Sequence, residues 1–187
     1  KMDVGGVETW LLHFCRNIDR DRFQIDFLAV SGKDGHYDEA LKEMGSNVIK
    51  APFNGPDHPI LFAIWLLKLL TSNRCDVIHS HLFNFSGFFM FAGFLVGIPV
   101  RIAHIHSTKS VRRNRFVYPL MRVIFRRLIK LFSTHIFTVS IPCAHAFFGK
   151  DWQDIEKLRV VYLGLDLSIF QDPHKSVLDI PIRKTDK

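Results

Sequence analysis

Apolar residues recur at helical spacing from Val7 through Leu11, Leu12, Phe14, Cys15 and Ile18, so a helix is expected directly after Gly5-Gly6. The run from Phe23 to Val30 carries one charge, Asp26, and reads as a strand. Tyr37 to Met44 has the charges of an exposed helix, and Gly45 should stop it. Asn47 to Ala51 reads as a second strand. Pro59 to Leu70 reads as a helix with proline in its first turn, where a missing N–H costs little. Three strand–helix alternations follow: Cys75 to Ser80 then Phe85 to Val96, Val100 to Ile105 then Val117 to Phe132, and Thr134 to Ser140 then Ala144 to Phe148. Leu158 to Leu163 is the last strand. Most strands lack the in–out alternation of a half-exposed sheet. The expectation is an α/β fold: a doubly wound, mainly parallel sheet with helices on both faces.

The two ends carry their own expectations. Gln171 to Lys187 is polar, contains Pro173 and Pro181, and reads as a linker. Only Lys1 to Val4 precede the glycine turn, where a doubly wound sheet usually has its first and central strand. That strand is expected to be missing, with a gap beside its neighbours.

Composition narrows the class. Hydrophobic residues are 48% of 187, enough for one ordinary core. Three widely spaced cysteines, Cys15, Cys75 and Cys143, form no CxxC pair, which argues against a disulfide framework or a zinc site and for a reducing cytosol. Ten histidines occur, yet no HExxH or paired metal-ligand spacing accompanies them, so no metal is expected. The charge-free stretch from Leu82 to Val100 nears transmembrane length. Its glycines, Asn84, Ser86 and Pro99 favour a buried helix followed by a strand.

Four segments carry chemistry. Val4-Gly5-Gly6-Val7-Glu8 opens a helix, where glycines allow close approach and free N–H groups suit a diphosphate. A plain tight turn fits the same residues, with Glu8 favouring the helix dipole. Asp76-Val77-Ile78-His79-Ser80-His81 and Arg101-Ile102-Ala103-His104-Ile105-His106-Ser107 are strands that both end in histidines. Open parallel sheets bind ligands at the carboxyl ends of their strands. His81 and His106 therefore read as functional, donating to a sugar hydroxyl or, when protonated, stabilising phosphate charge. His79 and His104, deeper in the strands, read as buried and satisfied. Val161-Tyr162-Leu163-Gly164-Leu165-Asp166 is a strand, a glycine turn and a possible helix cap.

Taken in order, GGVE, DVIHSH, RIAHIHS, FTVS and VVYLGLDLSIF resemble the acceptor-side domain of family 4 glycosyltransferases of the GT-B type, from Gly5 to about Phe170. The resemblance implies one Rossmann-like half of a GT-B fold over residues 1–170, with residues 171–187 leading toward a donor-side domain that this chain lacks. It implies a retaining transfer of sugar from a nucleotide-sugar to a saccharide or lipid-linked acceptor in surface polysaccharide synthesis, with no cofactor besides that co-substrate. It places Gly5 and Gly6 at the donor diphosphate, His106 near the donor sugar as the catalytic contact, and His81 and Ser107 at the acceptor. Ser140 matches a strand-ending serine without a clear role. Leu163 departs from the family, which usually has Asn in that turn. Without the donor-side half, the chain alone is expected to be inactive. A sugar-nucleotide epimerase of similar layout and a non-catalytic sugar- or lipid-binding fragment are the alternatives.

Net charge is +7, and much of it lies in one stretch interleaved with apolar residues. Arg112, Arg113, Arg122, Arg126 and Arg127 mark it as an acceptor surface or an anionic membrane surface. A helix packed on the sheet with its basic side solvated fits equally. Nucleic acid is not expected, because no binding module accompanies the charge. The protein is expected in the cytoplasm, peripheral on the inner face of the plasma membrane.

Overall fold

The computed structural model describes residues 1–52, 58–108 and 118–164, with the backbone alone for Tyr118 and Pro119. Helices and short strands alternate: α1 (Gly6–Asn17), β1 (Phe27–Ala29), α2 (Asp38–Glu43), β2 (Val48–Lys50), α3 (Pro59–Ser72), β3 (Val77–Ser80), α4 (Ser86–Leu95), β4 (Val100–Ile105), α5 (Tyr118–Phe132), β5 (His135–Thr138), α6 (Ile141–Phe148) and β6 (Leu158–Val160). The fold is α/β, with parallel sheets flanked by helices, as the alternation predicts. β1 pairs with β2, and β3, β4, β5 and β6 pair in that order, every ladder being parallel. Among the described residues no ladder joins β1 to β3, so the sheet is in two pieces.

Several boundaries shift for local reasons. β1 is shorter than the apolar run suggests, because Phe23 closes a turn through its N–H to Asp19 O and stays exposed. α6 begins at Ile141 rather than Ala144. Ser140 caps it by accepting a bond from Cys143 N at 3.3 Å, and proline occupies its first turn. Ser140 thus has a structural task. Gly45 and Gly97, each at φ +79°, end α2 and α4 in a left-handed conformation that costs other residues more.

The larger core gathers Phe62 and Leu66 of α3, Phe89 and Met90 of α4, Ala103 and Ile105 of β4, Ile129 of α5 and Ile136 of β5. A smaller core joins Leu12 and Cys15 of α1 with Phe27 and Leu41. Leu28 packs on the larger core while its neighbour Phe27 lies in the smaller one, so β1 is covered on both sides. This is why the strand shows no alternation. α4 is buried as expected, and at Gly87 it presses so near α5 that a Cβ there would lie 2.3 Å from Phe125 O. No helix among the described residues is long and apolar enough to cross a membrane.

Candidate functional site

β4 presents different faces to different partners. Arg101 faces Gly93 of α4, where a Cβ would lie 3.3 Å from its Cδ. Alternation then turns His104 and His106 to the opposite face. The parallel register sets Ile78 beside Arg101, so His79 and His81 emerge on the same face as the β4 histidines. Four imidazoles therefore meet at the carboxyl ends of two adjacent strands. Ring centroids lie 4.3 Å apart for His79–His81 and 4.2 Å for His104–His106. Across the strands, His81 Nδ1 is 2.8 Å from His106 Nε2, and His79 Nε2 is 3.3 Å from His104 Nδ1.

α1 covers this face through Trp10. Its ring centroid lies 6.0 Å from His81, 5.8 Å from His104 and 6.2 Å from His106. Trp10 stands four residues after Gly6, one helical turn, so the helix start and the histidines belong to one neighbourhood. Sequence reasoning overlooked Trp10. The i+4 spacing from the glycine turn was the available signal.

At the helix start, Gly5 is an extended N-cap with no side-chain cap bond, and a Cβ on Gly6 would meet nothing within 4 Å. Glu8 folds back over Gly5, where a Cβ would lie 2.5 Å from its Oε2. An acidic group already sits near the positive end of the helix, as dipole electrostatics favours.

The histidines are neutral at physiological pH. Burial lowers His106 to about 4. Burial, and then the charges of His106 and His79, lower His104 to about 3. His81 is driven down further by burial and by His79, His106 and His104. Burial of its ring atoms, and then the charge of His106, lower His79 to about 4, although the residue is exposed on its outer side. The phosphate-stabilising imidazolium envisaged from sequence is thus not the resting form, whereas a neutral ring that donates or accepts one hydrogen bond is.

Two readings from sequence change. His79 is exposed rather than buried, because β3 pairs on one side only among the described residues. His104 is buried at 1% exposure, yet its Nε2 has no hydrogen-bond partner, and neither has Nδ1 of His106. Ser107 is exposed just beyond His106, and its carbonyl accepts from Cys143 Sγ at 3.5 Å.

The basic segment lies elsewhere. Arg122 and Arg127 are exposed on α5. The Arg126 guanidinium stacks 4.3 Å from the Phe147 ring centroid and bonds Asn84 Oδ1 at 3.4 Å. Val123, Arg126, Arg127, Lys130, Phe147 and Phe148 line a shallow groove of about 180 Å³. Arg112 and Arg113, Asp166, Phe170 and the segment 171–187 lie outside the described residues.

Parallel strands with helices between them, and a polar edge built at their carboxyl ends, define one Rossmann-like half of a GT-B-type protein. Residues 4–169 match Glycosyltransferase Family 4, and the chain belongs to that family of transferases. It is 28% identical over 170 residues to the "Putative glycosyltransferase EpsF" of Bacillus subtilis (strain 168), covering 90% of this chain and 44% of that protein. It is also 28% identical over 141 residues to the "Capsular polysaccharide biosynthesis glycosyltransferase CapH" of Staphylococcus aureus, covering 75% of this chain and 38% of that one. The chain thus spans less than half the length of these curated relatives.

Proposed function

We propose that the chain supplies the acceptor-side half of an enzyme that moves a sugar from a nucleotide-sugar to a saccharide or lipid-linked acceptor in surface polysaccharide synthesis, with retention at the anomeric carbon. Family membership and the printed names of both relatives support the reaction class. The observation that carries the assignment to this face is the contact between His81 and His106 at the sheet edge, beside Trp10 and the start of α1. Neutral imidazoles at that edge suit sugar hydroxyls, which need directional donors and acceptors rather than charge. In this reading His106 contacts the donor sugar, while His81 and Ser107 hold the acceptor. Gly5 and Gly6 let the donor diphosphate approach the helix N-terminus, and Glu8 swings aside. The reading calls for no cofactor besides the nucleotide-sugar.

The reading places the protein in the cytoplasm, where its three free thiols stay reduced. It also places α5 against the anionic inner leaflet, which brings a lipid-linked acceptor to the cleft. The test is turnover by the full-length protein. A panel of nucleotide-sugars is offered with saccharide and lipid-linked acceptors, and the product linkage is read by NMR. A product with the donor's anomeric configuration is expected. An inverted product would overturn the retaining reading, and a free epimerised nucleotide-sugar would replace transfer with epimerisation.

A further inference from the structure

We propose that His79, His81 and His104 form a binding site for one divalent transition-metal ion of the zinc type, with an open fourth position toward solvent beside His79. One nitrogen from each ring can be chosen so that all three lie within 4.8 Å of one another. Ligands on a tetrahedral cation at metal–nitrogen distances of about 2.0–2.1 Å stand roughly 3.3 Å apart, with ring centroids roughly 5 Å apart. His79 Nε2 and His104 Nδ1 are 3.3 Å apart. The three centroid separations are 4.3, 5.3 and 5.4 Å. The backbone therefore already holds the three rings close to the spacing of a three-histidine site.

Hydrogen bonding points the same way. A neutral imidazole has one N–H and one lone pair. In each cross-strand pair a hydrogen bond needs the N–H of one ring and the lone pair of the other. With a cation in place, His79 Nε2 and His104 Nδ1 both turn lone pairs to the metal, which replaces their long N···N contact. His106 then serves His81: at 2.8 Å its Nε2 accepts the Nδ1–H of His81, fixing the tautomer that offers Nε2 to the metal.

The three candidate ligands are all imidazoles, so the donor set is all nitrogen, which suits zinc, nickel, copper or cobalt over magnesium or calcium. Exposure of His79 provides the way in. Motif spacing hid the site because its ligands lie on two strands, 25 residues apart for His79 and His104.

The site shares His81 with the acceptor contact of the proposed transfer, so a bound ion and the acceptor compete for that ring, while the transfer itself needs no ion. It is tested by titrating the protein with Co²⁺ and with Zn²⁺, following the visible absorption of four-coordinate cobalt and the heat of zinc binding. One equivalent should bind with that absorption. His79→Ala should weaken binding at least tenfold, and so should His104→Asn, whereas His135→Ala and His145→Ala should not. His79 is exposed, so its replacement leaves no cavity, and circular dichroism checks that the variant is folded. Binding of less than one equivalent, an octahedral cobalt spectrum, or a folded His79→Ala protein with undiminished affinity would overturn the site, and each leaves the transfer reading untouched.

Discussion

His104 and His106 show what clustering imidazoles costs. Each is held well below the ordinary value of 6.5, His104 to about 3 and His106 to about 4. On unfolding, a ring of this kind takes up a proton once the pH drops below 6.5. The stabilising contribution is therefore complete above that value and is lost as pH falls through the window down to about 4 for His106 and about 3 for His104. Each ring contributes a slope of up to about 1.4 kcal/mol per pH unit within its window. The melting temperature should be nearly level from about pH 8 to pH 7 and fall steeply between about pH 6.5 and 4.5. A level profile across that acid range would mean that the cluster does not exclude protons.

Single elements decide how the site is framed, and α4 packs closely on α5. Gly87 has no room for a side chain against Phe125 O. Gly87→Ala must push the helices apart, at about 1–3 kcal/mol by analogy with overpacked cores. The expected result is a melting temperature several degrees lower, and an unchanged one would mean the crossing is slack. Along α5, Leu120, Val123 and Leu131 are exposed, as are Arg122 and Arg127. Liposomes containing anionic lipid should bind the full-length protein at low salt and release it as salt rises. Arg122→Gln with Arg127→Gln should weaken that binding roughly 30-fold, at about 1 kcal/mol per charge near the surface. Binding indifferent to lipid charge and to both substitutions would leave α5 a solvated helix.

Much of this element order was legible in the sequence. Period and length gave every helix and strand their places, because runs such as Val100 to Ile105 are bounded by turn residues and are long enough to read. Ends were less legible. Phe23 looks like strand and closes a turn, and Ser140, read as the end of a strand, caps a helix. His81 and His106 could be paired in advance because strand order and the carboxyl-edge rule bring them together. Trp10 offered only its spacing from the glycine turn, and the exposure of His79 left no signal. They depend on which helix covers that face and on how many neighbours β3 has, and both are tertiary facts.

At the scale of the molecule, two sheets that share no ladder among the described residues are joined by packing. Leu28 and Val30 of the β1 region and Ala51 after β2 reach the same core as Phe62, Phe89 and Ile105. α1, rooted in the smaller core, lays Trp10 over the histidine edge of the larger sheet. The glycine turn and the histidines therefore belong to one site only because both cores form. That site is the centre of the proposed transfer, and His106 is the residue on which it turns. The most direct measurement is steady-state kinetics of the full-length enzyme with His106→Ala beside the control His135→Ala. His106→Ala should lower kcat about 100-fold with little change in the acceptor KM, as for a contact made mainly in the transition state, while His135→Ala leaves both unchanged. A His106→Ala enzyme that is folded and turns over at the parent rate would contradict the account.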